Sequence, residues 1–132
     1  MTNADIAAQW IKKANDDLIV AHHVFENIHP KQLDICCYHC QQASEKALKA
    51  VLIFHEAVDE IPYTHNLKLL LSDCLPLHES FEALNKDCAA LTPYATQTRY
   101  PGNKEITEKE TAAALQKAER IVNFCACLIA PN

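Results

Sequence analysis

The stretch Cys36-Cys37-Tyr38-His39-Cys40-Gln41-Gln42-Ala43-Ser44-Glu45-Lys46-Ala47-Leu48-Lys49-Ala50-Val51-Leu52 decides the fold of this chain. Its small and apolar residues recur at steps of three and four, the spacing that places side chains along one face of an α-helix. Continued into the next turn, this stripe comprises Cys36, Cys40, Ala43, Ala47, Ala50 and Phe54. We predict that the stripe faces the core, and its three alanines allow a neighbouring helix to approach closely.

A polar flank lies beside the stripe on the same predicted helix. Gln41, Glu45 and Lys49 follow one another at steps of four, and Gln42 and Lys46 lie next to them. Residues at this spacing are neighbours on a helix surface, so binding chemistry could sit on this flank. The alternative is a solvated face, because a Glu-to-Lys pair of this kind contributes only about 0.2–0.5 kcal/mol and needs no function.

Composition limits both the fold class and the partners. The chain has 132 residues with one glycine and six prolines, which are too few turn residues for the hairpins of a β domain. We therefore predict a single all-α domain over residues 1–132. The formal net charge of -5 excludes a global basic field that would gather nucleic acid non-specifically.

The cysteines indicate the cellular compartment of the protein and do not indicate a metal site. Their number is seven, which is odd, and no leader peptide precedes them, so we expect reduced thiols in a cytoplasmic protein. The spacing around Cys37 and His39 does not suit a four-ligand zinc site, and we predict no metal and no cofactor. The longest apolar run, from Phe124 to Ala130, is far shorter than the roughly 20 residues that span a membrane.

Prolines and capping residues divide the chain into four long helices and one short one. The short helix is the third, and it should end by Pro76 because proline cannot continue a helix. The second should run to about Glu56. The predicted starts, in chain order, are Asn3 or Asp5, Pro30, Thr64, His78 and Thr107.

Several of these stretches match a known family when they are taken together. The matching residues are Trp10, Asp17-Leu18, the run from Cys40 to Ala50, Thr64-His65-Asn66-Leu67 and Arg99-Tyr100-Pro101. They resemble the HEPN family of small prokaryotic helical proteins over nearly the whole chain. The resemblance implies an up-and-down four-helix bundle with one additional short helix, frequent dimerisation, and nucleotide or RNA as the substrate class. It also implies association with minimal nucleotidyltransferases, often as toxin–antitoxin pairs.

Some members of this family are ribonucleases, whose motif is an arginine followed after four to six residues by a histidine. Arg99 matches the arginine, but the histidine positions hold Lys104, Glu105 and Ile106. Without an imidazole there is no evident general base or acid, a loss of about 10²–10⁴-fold in rate. We therefore assign no catalytic residue.

Seven residues are predicted to bind a ligand or a partner. A planar guanidinium suits bidentate phosphate binding, and the tyrosine that follows Arg99 could stack on a base, although both could instead hold the loop in place. A lysine of the flank could contact phosphate, a glutamine could bond a backbone group of a neighbouring helix, and His65 could donate to a carboxylate or touch a ligand. The predicted residues are Arg99, Tyr100, Lys46, Lys49, Gln41, Glu45 and His65.

These observations leave three functions open. The first is a nucleotide-binding or nucleotidyltransferase-partner module with weak or no catalysis. The second is a ribonuclease of the same family with a non-standard active site, and the third is a structural dimerisation module. A homodimer is expected in each case because apolar residues remain away from the core stripes, at Tyr38, Ile35, Ile53, Tyr63 and Tyr94.

Overall fold

The structure is a computed structural model that describes residues 1–99, 101–102 and 104–130, with Arg99 described through its backbone. Its α-helices are α1 (Asn3–Asn27), α2 (Leu33–Phe54), α3 (Leu67–Cys74), α4 (Asn85–Leu91) and α5 (Glu108–Ile129). The described residues contain no strand. The predicted fold class, an all-α up-and-down four-helix bundle with one additional short helix, is confirmed. No helix among the described residues has the length and apolar character needed to cross a membrane.

Helix α2 is the centre of the bundle. It contacts α1, α3, α4 and α5, and it is buried on nearly every side from Cys36 to Leu52. The predicted core stripe is confirmed over Cys36, Cys40, Ala43, Ala47 and Ala50, all of which are fully buried. Phe54 is only partly buried, because it lies in the last turn of α2 at the edge of the core.

The caps of α1 and α3 differ from the prediction. Thr2 caps α1 instead of Asn3 or Asp5, and its hydroxyl accepts a hydrogen bond from the Asp5 backbone at 3.1 Å. Asn66 caps α3 instead of Thr64, because an asparagine side chain in that position accepts from the free N–H groups of the first turn. The predicted cap of α5, Thr107, is confirmed.

Helix α2 is shorter at both ends than predicted, since it begins at Leu33 and ends at Phe54. Glu56 adopts a positive φ of 50°, the left-handed conformation that commonly ends a helix. The N–H groups of Glu56 and Ala57 donate to the carbonyls of Ile53 and Leu52, at 3.2 and 3.0 Å. This pair of bonds satisfies carbonyls at the helix end and prevents a further turn.

The predicted fourth helix is divided in two. Residues Glu79–Leu84 form a 3₁₀-helix, and only Asn85–Leu91 form the α-helix α4. In a 3₁₀-helix, residues three apart eclipse, which directs both Phe81 and Leu84 into the core. Pro93 then follows in another 3₁₀ segment, Thr92–Ala95.

Exposed apolar side chains agree only partly with the prediction. Ile35 is 45% exposed and Tyr63 is fully exposed, whereas Tyr38 and Ile53 are partly buried. The prediction that Tyr94 lies away from the core is wrong. Its ring is buried against α2, and its hydroxyl donates to the carboxylate of Glu110 on α5.

Candidate functional site

A cluster of four polar residues joins α2 to the segment before α3. This Glu45 cluster consists of Gln41, Glu45, Lys49 and His65. Nδ1 of His65 lies 2.8 Å from Oε1 of Glu45, and Nζ of Lys49 lies 3.0 Å from Oε2. Nε2 of Gln41 donates to Glu45 at 3.2 Å and to the backbone carbonyl of His65 at 2.9 Å. The cluster therefore holds His65 through both its ring and its backbone.

The Glu45 carboxylate is stabilised as an anion. Burial by itself raises the pKa of Glu45, but hydrogen bonds from His65, Lys49 and Gln41 outweigh burial and lower the pKa below its ordinary value. An anionic carboxylate only accepts hydrogen bonds, so the proton of the shared bond lies on Nδ1 of His65. Because the His65 side chain is 48% exposed, the cluster presents an imidazole of fixed tautomer at the surface.

The alternative interpretation of the polar flank as a solvated face is wrong. Gln41, Glu45 and Lys49 are buried, because α3 and the 3₁₀ segment Thr92–Ala95 pack against α2. The backbone group that Gln41 binds is the carbonyl of His65, and the carboxylate that His65 binds is that of Glu45. The assignment of these residues to ligand binding stays a prediction, and only His65 has a substantially exposed side chain.

Lys46 belongs to a separate network that faces α1. Its Nζ lies 2.6 Å from Oδ2 of Asp17, and Nδ1 of His39 donates to Oδ1 of the same carboxylate at 2.9 Å. Asp17 is buried, whereas the Lys46 side chain is 29% exposed and lines an open cleft with Trp10. The two acceptor oxygens of Asp17 therefore fix both side chains at the α1–α2 groove.

Asp17 and His39 were not among the residues that the sequence assigned to a site. A signal for both was present, because His39 and Lys46 are seven residues apart, which places them on one face of α2. Asp17 falls where the hydrophobic pattern of α1 requires a buried position. A buried aspartate needs charged or hydrogen-bonding partners, and a face with histidine and lysine supplies them.

The predicted arginine–tyrosine pair follows the 3₁₀ segment Thr92–Ala95. Arg99 ends a further 3₁₀ segment, Gln97–Arg99, and Tyr100 lies outside the described residues. A cleft of about 250 Å³ adjoins this segment, and its lining includes Asp34, Thr98 and Lys104. The backbone of Arg99 therefore lies near the first turn of α2. That turn precedes Gln41 by about two helical turns.

The other arginine of the chain, Arg120, forms an ion pair between two helices. Arg120 on α5 donates through Nε and Nη2 to the two carboxylate oxygens of Asp87 on α4, each at 2.9 Å. These hydrogen bonds raise the pKa of Arg120. A bidentate pair of this geometry joins the two helices, so Arg120 has a structural role.

The cysteines are free thiols, and six of the seven are buried. Burial raises the pKa of Cys37 to about 11 and that of Cys74 and Cys88 to about 12. At neutral pH these thiols are protonated, and a protonated thiol is a poor nucleophile and a poor metal ligand. In the part of the chain that the structure describes, no group of three or more histidine, cysteine, aspartate or glutamate residues could hold a metal ion.

Comparison with known proteins agrees with this architecture. The family model described as the HEPN domain matches residues 7–128. The chain is similar to the crystal structure of TT1696 from Thermus thermophilus, with 28% identity, a TM-score of 0.73 and coverage of 90% of this chain and 94% of that chain. It is similar in fold to the crystal structure of ST0689, an archaeal HEPN homologue, with 24% identity, a TM-score of 0.73 and coverage of 94% and 98%. No curated protein matches the chain.

Proposed function

The chain belongs to the HEPN domain family, and from this premise we propose that it is a nucleotide-binding partner module of a minimal nucleotidyltransferase, with weak or no catalysis of its own. The two proteins would form a pair of toxin–antitoxin type. One observation carries the proposal. The positions where ribonuclease members of the family carry their histidine hold Lys104, Glu105 and Ile106 in this chain.

Efficient RNA cleavage needs a base for the ribose 2′-hydroxyl and an acid for the leaving oxygen. The polar side chains that line the cleft beside the Arg99 segment are two carboxylates, one lysine, one amide and one hydroxyl group, and its described lining contains no imidazole. Loss of general acid–base catalysis costs about 10²–10⁴-fold in rate. A guanidinium without such a partner is suited to holding a phosphate, which favours binding over cleavage.

The Glu45 cluster supports a binding role in an indirect way. Its three α2 residues are buried and hydrogen-bonded to one another or to His65, so they hold the segment before α3 in place. Among the described side chains, the exposed ring of His65 and the Lys46 ammonium group at the α1–α2 groove can meet a ligand or partner. We assign the same role to the guanidinium of Arg99. Two of these three are cations, which suits an anionic partner surface or a phosphate.

We expect the purified protein to leave RNA intact on the timescale of an active ribonuclease. We also expect Arg99→Ala to weaken binding to a minimal nucleotidyltransferase by roughly tenfold to a hundredfold, since hydrogen bonds to charged groups contribute about 1.5–3 kcal/mol. Isothermal titration calorimetry measures the binding, and circular dichroism shows whether the helix content is unchanged. Lys86→Ala, which removes an exposed cation from α4, is the matched control and should bind like the parent chain.

A ribonuclease with a non-standard active site is the second candidate, and the Glu45–His65 pair is the observation that favours it. A buried carboxylate that holds one ring nitrogen of an exposed histidine leaves the other nitrogen able to accept a proton. Rapid RNA degradation that Arg99→Ala abolishes would refute the partner module. His65→Asn should then remove the activity, and His23→Asn, which changes an exposed histidine of α1, should not.

Self-association is part of the proposed function, and the exposed apolar side chains indicate a face for it. Ile35 and Tyr38, on the first turns of α2, line a cleft of about 260 Å³ together with Asp34 and Thr98. Thr98 precedes Arg99 directly, so a two-fold contact through this face would bring the Arg99 segments of two copies close together. The family resemblance implies frequent dimerisation, and closed two-fold dimers are the commonest assemblies.

We expect a dimer mass by light scattering at micromolar concentration. Ile35→Lys should shift the mass to that of a monomer, because it places a charge in the centre of the apolar contact. Leu69→Lys changes another exposed apolar residue, on α3, and should leave the dimer intact. A monomer mass for the unmodified chain would contradict the proposed dimer.

A further inference from the structure

An open cleft along the groove between α1 and α2 combines an aromatic ring with two cations. Its volume is about 470 Å³, and its lining residues are Gln9, Trp10, Lys13 and Lys46. Trp10 is the only tryptophan of the chain, and its side chain is partly exposed. The volume lies within the range of clefts that take small molecules, about 300–1,000 Å³.

Lys46 is held in place at the wall of this cleft. Its ammonium group has three N–H donors, and one of them is directed to Asp17 at 2.6 Å. Asp17 in turn is fixed by its second hydrogen bond, from His39 at 2.9 Å. Two N–H donors of the lysine therefore remain for a ligand. Because Asp17 already orders this side chain, it loses less conformational entropy on binding than an ordinary surface lysine would.

Lys13 supplies the positive charge that is not balanced within the cleft. The Lys46 charge is offset by Asp17, whereas Lys13 forms no ion pair with any residue that the structure describes. Lys12, its neighbour in sequence, is paired with Asp16 at 3.1 Å and does not line the cleft. The cleft thus presents one flat aromatic face and one net positive charge.

We propose that this cleft binds a free mononucleotide, with the base stacked on Trp10 and the phosphate held by Lys13 and Lys46. A planar aromatic group that carries an anion is the ligand chemistry that a tryptophan and two ammonium groups recognise together. A small ligand fits better than an RNA strand, because the cleft has only four lining residues and the net charge of -5 does not attract a polyanion. This assignment rests on the proposed function and gives its nucleotide a site apart from Arg99.

The single tryptophan makes the proposal directly measurable in the full chain. Titration with adenosine monophosphate, with excitation at the red edge of the tryptophan band, should quench the fluorescence in a saturable way. Lys13→Ala should weaken the binding roughly tenfold, and Lys12→Ala should leave it unchanged. Trp10→Leu, followed by equilibrium dialysis with labelled nucleotide, should weaken the binding roughly tenfold to a hundredfold, with circular dichroism to verify that the variant is folded.

The outcomes separate this site from the proposed function. Absence of saturable quenching, equal affinity in Lys13→Ala, or inorganic phosphate that competes as well as the nucleotide would each overturn the cleft assignment. If the nucleotide fails to bind while a minimal nucleotidyltransferase binds in an Arg99-dependent way, the cleft assignment fails and the partner module stands. If the nucleotide binds as predicted and the nucleotidyltransferase does not, the cleft assignment stands and the partner role fails.

Discussion

Ala47→Glu is expected to leave the chain unfolded in dilute buffer at neutral pH. Ala47 is fully buried in the centre of α2, where alanine lets the neighbouring helices approach closely. A glutamate there would be a buried charge without a partner, which costs several kcal/mol, and its extra atoms would add about 1–3 kcal/mol of overpacking. These costs together are comparable with the whole stability of a small domain, about 5–15 kcal/mol. Loss of far-ultraviolet circular dichroism and of proton chemical-shift dispersion would measure it.

Ala112→Glu is the matched control for this variant. Ala112 lies in α5, which has 22 residues like α2, but its side chain is exposed. An exposed substitution near the beginning of a helix is expected to change the stability by no more than about 0.5 kcal/mol. A soluble, helical Ala47→Glu protein with an unchanged melting temperature would show that the face assigned to the core is wrong.

The core of α2 could be predicted because its period leaves only one choice of face. Five small or apolar residues between Cys36 and Ala50 fall on one stripe at steps of three and four, whereas Cys37 and Leu48 are buried on the neighbouring faces of the helix. Burial at these positions follows from a pattern within one segment, and such patterns do not depend on which element packs against the helix. The same holds for Thr107, whose hydroxyl caps α5 within four residues.

The helix boundaries depend on competition between neighbouring candidates, which the sequence does not resolve. Asn3 and Asp5 are the predicted caps of α1, whereas the observed cap is Thr2, which forms a reciprocal pair of bonds with Asp5. The 3₁₀-helix Glu79–Leu84 has another cause. There the spacing of Phe81 and Leu84 fits both an α-helix and a 3₁₀-helix, so the sequence does not distinguish them. Phe81 packs against Phe124 on α5, and a contact between residues so distant in the sequence depends on the tertiary structure.

The polar residues of α2 could be identified from the sequence, but their environments could not. Gln41, Glu45 and Lys49 have the spacing of a solvated flank, and only a partner 20 residues away, His65, distinguishes a buried cluster from a solvated face. Lys46 likewise depends on Asp17, 29 residues earlier in the chain. Networks of this kind are created by the packing of α1 and of the segment before α3 onto α2, so they emerge only with the tertiary structure.

Glu45→Gln is expected to destabilise the fold by roughly 3–5 kcal/mol at neutral pH, the cost of removing one partner from a buried ion pair. The substitution leaves the buried Lys49 ammonium without its counter-ion and weakens the bond that holds His65. Urea denaturation monitored by circular dichroism measures the change. The double variant Glu45→Gln with Lys49→Met should recover part of the loss, because it no longer leaves an unpaired buried charge. Glu60→Gln, at an exposed glutamate, is the control and should be nearly neutral.

The destabilisation should also depend on pH in a definite direction. The pKa of Glu45 is lower in the folded chain than its ordinary value, so the folded state favours the carboxylate over the protonated acid. The stabilisation is therefore complete above the ordinary glutamate pKa of about 4.3 and is lost as the pH falls through the lower pKa of the folded state. The difference in unfolding free energy between the parent chain and Glu45→Gln should be constant near pH 7 and shrink at pH values below about 4. A difference that stays unchanged into acid, or that grows there, would show that the Glu45 carboxylate is not the group that Lys49 and His65 stabilise.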